Sequence, residues 1–199
     1  RPIARWRVSL TTVCRHVIHD DKLLDKLSQF EQITFEGEAY RATRLNHDPL
    51  APSRNAGRWA FRDETPVLYT SLERDGAIAE LVHHWSLLTP APTKPAVIHQ
   101  LRVGTDAALR LMRTDLAELG VMIEDFASMD YSRCQAIGTA IAFLECDGLI
   151  VPSARWPCEN LVIFTDNQLL AGRRALLELV GSEEFDWQSW ARQNILGTA

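Results

Sequence analysis

Residues 44–66, RLNHDPLAPSRNAGRWAFRDETP, hold three prolines and a glycine and no recognisable period. Proline fixes φ and lacks a backbone donor, so no regular helix or central strand runs through this stretch. An irregular segment longer than about 15 residues is uncommon in a compact domain and is usually functional. It parts a strand-like run, FEGEAYRAT (35–43), from a second one, VLYTS (67–71), which removes the regular βαβ rhythm of a doubly wound sheet.

Around it the elements mix. Residues 10–30 carry Val13, Val17, Leu23, Leu24, Leu27 and Phe30 at helical spacing and predict one helix or two short ones. A helix from about Asp75 to Leu88, capped by Asp75 or Ser71, places Ile78, Leu81, Val82, Trp85 and Leu88 on one face, and Pro90, Pro92 and Pro95 end it. Further on, 96–103 reads as a strand, 106–119 as a helix and 134–146 as a buried helix. Strands follow at 148–153 and 160–165, then a tail of short helices. The fold class that fits is α+β, in one domain. Neither GxGxxG nor GxxxxGK[ST] occurs, which removes the commonest nucleotide-binding signatures.

With 199 residues, 46% hydrophobic and 24% charged, the chain has ordinary globular composition. A net charge of −5 argues against nucleic-acid binding, and the basic clusters at 5–7 and 172–174 read as solvated surface. No apolar run is long enough to suggest a membrane span, and residues 1–14 lack a signal-peptide pattern, so the expected compartment is the cytoplasm. Cys14, Cys134, Cys146 and Cys158 form no CxxC pair and fit buried thiols. His16 and His19 lack a third ligand, His83 and His84 point apart on a helix, and no GxSxG elbow exists. No metal site and no Ser/His or Cys/His nucleophile is expected.

Several polar residues carry two readings each. Arg41, beside Tyr40 in a strand, is either outward or paired with a buried carboxylate, or it grips a phosphate. Glu80 is an exposed helix glutamate unless something meets it across a cleft. Tyr69 is core, or it offers a ring face to a flat cation. Ser153 and Asn160 are turn residues at strand ends, or polar contacts.

Taken in order, AYR (39–41), GRW (57–59), PVLYTS (66–71), AIAEL (77–81), CQAIG (134–138) and DGLIVPSAR with EN (147–160) resemble the RES domain family, toxins of bacterial RES–Xre type II toxin–antitoxin pairs. The resemblance covers roughly residues 37–166. It departs from the family pattern at NAGRWAF, where many members read GGRWN, and in a longer N-terminus. It implies a split mixed β-core similar to ADP-ribosyltransferase toxins, organised as an N-terminal helical extension (1–34), an NAD-binding catalytic domain (35–170) and a C-terminal helical tail (171–199).

The resemblance further implies cleavage of the nicotinamide–ribose bond of NAD+, a consumed co-substrate, with no metal. Growth arrest would follow from NAD+ depletion. Water or phosphate takes the ribose in some members, whereas others ADP-ribosylate a protein; a silent antitoxin-binding protein is the non-enzymatic alternative. By family matching Arg41, Glu80, Tyr69 and Ser153 are expected to be catalytic. Arg41 clamps the pyrophosphate, Arg58 is a loop contact, Tyr69 stacks on nicotinamide, and Glu80 supplies negative charge at the ribose. Ser153 bonds the ribose or the amide with Asn160 in support, and Tyr40 packs on the adenine side. An Xre-type antitoxin blocking the cleft is the expected partner, DNA contact falls to that partner, and a homodimer is compatible.

Overall fold

The computed structural model describes residues 19–196. Helix α1 (Asp21–Leu27) is capped by Asp20, whose side chain accepts from the Lys22 N–H. Strand β1 (Ile33–Arg44) follows, and the proline-rich stretch leads to β2 (Val67–Ser71) and α2 (Arg74–Ser86). Then come β3 (Ala96–Arg110), α3 (Arg113–Glu118), α4 (Ser132–Phe143), β4 (Gly148–Pro152), β5 (Glu159–Phe164) and α5 (Thr165–Gln168). The described chain closes with β6 (Leu176–Phe185), α6 (Trp187–Ala191) and a π-helical turn, Arg192–Leu196.

Long strand β3 joins two halves of one six-stranded sheet, ordered β1–β2–β5–β4–β3–β6 with β1 also paired to β3. Its first part pairs antiparallel with β1 on one side, Arg44↔Ala96 to Ile33↔Ala108, and with β6 on the other, Ala96↔Phe185 to Gly104↔Leu176. Its last residues, Ala108–Arg110, pair in parallel with Gly148–Ile150 of β4, which continues through β5 to β2. The first half, β1–β3–β6, and the second, β2–β5–β4, meet again through one pair, Tyr40↔Ser71. Beyond that pair β1 and β2 diverge, and Arg41–Arg44 pair only with β3.

Strand alternation decides what each face carries. Leu68, Ile150, Leu161 and Ile163 turn one face of the second half toward Ala39, Leu101 and Val103 of the first. The opposite face, with Val67, Leu149, Val162 and Phe164, is covered by Ile137 and Ile141 of α4 and by Leu23 and Leu27 of α1. Ile78 and Val82 of α2 pack with Trp187 of α6 against Ile98. Six consecutive-range residues of α2, Gly76–Ala79, Leu81 and Val82, are buried, so this helix is enclosed on more than the one face its apolar stripe predicts.

Three expectations need correction. Residues 106–110 extend β3 and only Arg113–Glu118 is helical. The backbone N–H groups of Asp106 and Ala107 donate to the buried Asp147 carboxylate, which fixes the strand where an apolar run imitates a helix. The first half of the C-terminal tail is an edge strand, β6, because β3 leaves a row of backbone groups to pair; helix follows only from Trp187. The α2 N-cap is Glu73, with no side-chain cap bond, not Asp75 or Ser71. The predicted helix over 10–30 is helical at Asp21–Leu27, and residues 10–18 with His16 and Cys14 lie outside the described residues. The 44–66 stretch is irregular, held by backbone bridges such as Ser53↔Val67 and Gly57↔Ala60.

Candidate active site

Where β1 and β2 part, a cleft of about 750 Å³ opens. Tyr40, Arg41 and Arg44 line it from β1, Tyr69 and Asn160 from the α4-facing side of β2 and β5, and Glu80 and His84 from α2. The proline-rich stretch contributes His47 and Gly57–Trp59, and Met129 and Tyr131 come from the segment before α4.

Glu80 is half-buried, not free in solvent. Its Oε1 accepts from Ser153 Oγ at 2.9 Å and from Asn160 Nδ2 at 2.9 Å. Ser153 is 2% exposed and does not line the cleft. Its hydroxyl oxygen accepts from the N–H of Arg155 (3.1 Å) and of Trp156 (3.2 Å), and its proton goes to Glu80. A hydroxyl has one donor and two acceptor positions, and all are engaged. Ser153 thus stands behind Glu80 and orients its carboxylate. Asn160 does line the cleft, and its Oδ1 is buried without a partner among the described residues.

Arg41 follows neither bland reading. No carboxylate lies within ion-pair distance among the described residues. Its Nη1 donates to the carbonyls of Pro49 (2.7 Å) and Ala51 (2.9 Å), strapping the proline-rich stretch to β1 while the guanidinium lines the cleft. Burial lowers its pKa, opposed by Asp48. Arg58 is more fully engaged. It donates to Phe126 O (2.7 Å) and Ser128 O (3.4 Å) and lies over the Phe126 and Tyr131 rings, with centroids at 4.9 and 4.4 Å.

Tyr69 anchors the GRW turn. Its hydroxyl accepts from the Trp59 N–H at 3.3 Å, and burial raises its pKa, so the phenol stays neutral. A side chain on Gly57 would run into the Tyr69 hydroxyl, and one on Gly138 of α4 would run into the Trp59 carbonyl. Gln135 of α4 donates to the Gly57 carbonyl at 2.9 Å. GRW, Tyr69 and CQAIG are thus one packed unit that holds a cleft wall. Tyr40 lines the cleft beside it, its hydroxyl 3.4 Å from Glu38.

Arg44, His47, His84, Met129 and Tyr131 were not singled out by sequence as cleft residues. Only His84 left a local signal, four residues after Glu80 on one helix. The others reach the cleft by tertiary placement. Among the described residues no group of three His, Cys, Asp or Glu could hold a metal ion, and no helix is long and apolar enough to cross a membrane.

The RES domain family model matches residues 32–188. The chain is 27% identical over 144 residues to the NAD(+) phosphorylase MbcT of Mycobacterium bovis and to that of Mycobacterium tuberculosis, a match that spans 68% of this chain and 77% of each relative. The crystal structure of the M. tuberculosis MbcT–MbcA toxin–antitoxin complex superposes with a TM-score of 0.73 at 23% identity, covering 87% of this chain and 97% of that one. That likeness bears out the α+β fold.

Proposed function

The chain belongs to the RES domain family, and from that premise we propose that it cleaves the nicotinamide–ribose bond of NAD+ and passes the ADP-ribosyl group to inorganic phosphate. One observation carries the reading: a half-buried carboxylate, Glu80, is fixed through one oxygen by Ser153 and Asn160 and leaves Oε2 without a partner among the described residues. Breaking C1″–N generates an oxocarbenium-like centre, and a preorganised negative charge beside it stabilises the transition state more than the ground state. Nicotinamide leaves neutral, so no general acid is needed.

The other walls suit the rest of the dinucleotide. About 750 Å³ is within the range of a cofactor-sized site. Arg41 and Arg44 offer cationic donors to the diphosphate, with the His47 imidazole beside them. Tyr69 presents its ring to the pyridinium while its hydroxyl is occupied. Tyr40 lies toward the adenine side, Arg58 shapes the loop wall, and Ser153 acts through Glu80. The phosphorolytic outcome is supported by the NAD(+) phosphorylase relatives. Their toxin–antitoxin neighbour supports an antitoxin, of Xre type by family, that covers the cleft. Free activity in the cytoplasm would drain NAD+ and arrest growth.

Purified protein incubated with NAD+, with and without inorganic phosphate, tests this by mass spectrometry. Nicotinamide and a ribose-1″-phosphate ester of ADP should appear, and Glu80→Ala should cut turnover by about 10²–10³-fold. NAD+ left intact by the wild type overturns the enzymatic reading. Label found only on protein replaces phosphorolysis with ADP-ribosyl transfer.

A further inference from the structure

Arg41 and Arg44 line the cleft on the β1 side, and the dinucleotide accounts for both. At the other side Arg155 follows the Ser153 turn, and its backbone N–H helps fix the hydroxyl that orients Glu80. Its guanidinium makes no ion pair among the described residues. Its side chain stands behind the cleft lining, with Nη2 4.0 Å from the Sδ of Met129, which lines the cleft. Arg58, across Tyr131, has both Nη atoms committed to carbonyls, so it is not the available cation.

His84 completes this end. It lines the cleft one helical turn beyond Glu80, with no hydrogen-bond partner among the described residues. We propose that Arg155 and His84 form the subsite for the acceptor phosphate, beside Glu80 and apart from the cations that hold the diphosphate. The proposal rests on the phosphorolytic reading above.

Phosphate has to approach C1″ next to a carboxylate, and an unpaired guanidinium offsets that repulsion and supplies a planar fork for two phosphate oxygens. His84 feels Glu80, Arg155 and Arg58 together; partial desolvation and the two arginines lower its pKa against the pull of Glu80. It then offers a neutral N–H. The step balances without a base: an unprotonated oxygen of the hydrogenphosphate dianion forms the bond to C1″. The C1″–N bond breaks with its electron pair going to the pyridinium nitrogen, and neutral nicotinamide departs. Water, in contrast, must lose a proton to an acceptor such as Glu80. An acceptor subsite thus decides between phosphorolysis and hydrolysis.

The test is steady-state kinetics with inorganic phosphate as the varied substrate, comparing wild type, Arg155→Met, Arg155→Lys and His84→Ala, with both ribose products quantified. Arg155→Met should raise KM for phosphate about tenfold or more, move KM for NAD+ far less, and shift product toward free ADP-ribose. Arg155→Lys should recover part of the phosphate affinity, and His84→Ala should lose a smaller factor. Among the described residues Arg155 makes a weak Met129 contact and no ion pair through its side chain, so the lysine variant keeps the comparison valid should the methionine one fold poorly. An unchanged phosphate KM in Arg155→Met, with the wild type saturable by phosphate, overturns the subsite alone. Nicotinamide release by the wild type that ignores phosphate overturns the phosphorolytic reading and the subsite with it.

Discussion

Ser153 and Glu80 divide the work differently from what their residue types suggest. A serine at a strand end beside a cleft reads as a substrate contact, yet its hydroxyl binds two backbone N–H groups and the carboxylate at once. Ser153→Ala leaves those N–H groups unpaired and Glu80 held by Asn160 alone. The expected cost is about 1–3 kcal/mol of stability and about 10–100-fold in kcat, with KM for NAD+ little changed. Raised KM at unchanged kcat would instead restore the direct ribose contact. Arg41 and Glu80 were legible as residues out of place, a cation in a strand and a carboxylate off the apolar stripe. That Oε1 is shared by donors from two other elements was not, because residues 73 and 80 positions away leave no mark on local pattern.

At the scale of elements, α4 and the GRW turn are pressed together so closely that Gly138 has no room for a methyl group: its Cβ would overlap the Trp59 backbone. Both sides of that contact are main chain, and neither yields as a flexible side chain would. Gly138→Ala should therefore destabilise the fold by about 1–3 kcal/mol or more, despite alanine's better helix propensity, and should reduce activity by displacing Arg58 and Tyr69. A denaturant midpoint equal to wild type would show that the turn relaxes freely. Elements with strong local signals were readable: VLYTS is β2 to the residue, and the buried helix is α4. Residues 106–110 and 176–185 were not. Their strand state comes from partners far along the chain, β1 and β4 for the first and β3 for the second, and a short apolar run carries no information about such partners.

Across the whole molecule, the β1–β3–β6 half of the sheet carries a buried polar ladder through the wall behind the cleft. His99 on β3, 5% exposed, meets Thr43 of β1 at 2.9 Å through Nε2 and Ser182 of β6 at 2.7 Å through Nδ1. Thr43 gives its own proton to the Arg44 carbonyl, so Nε2 must be the donor and Nδ1 the acceptor of the Ser182 proton. Protonation would turn Nδ1 into a second donor and add charge in a desolvated place near Arg41 and His47. Burial, then those two neighbours, lowers the His99 pKa below its ordinary 6.5. The unfolded chain then binds the proton more readily. The stability held by neutral His99 is fully present above about pH 6.5 and is lost as pH falls through the lower folded value. His47, His83 and His84 are lowered as well and add the same sign. Thermal or denaturant midpoints taken from about pH 7.5 down to about pH 5 should fall, and His99→Gln should flatten that slope without abolishing it. Glutamine can donate to Thr43 and accept from Ser182 without titrating, so the ladder survives the substitution. An identical slope in His99→Gln would move the pH dependence to the other histidines and leave the ladder a fixed, neutral tie between the cleft wall and the edge strand.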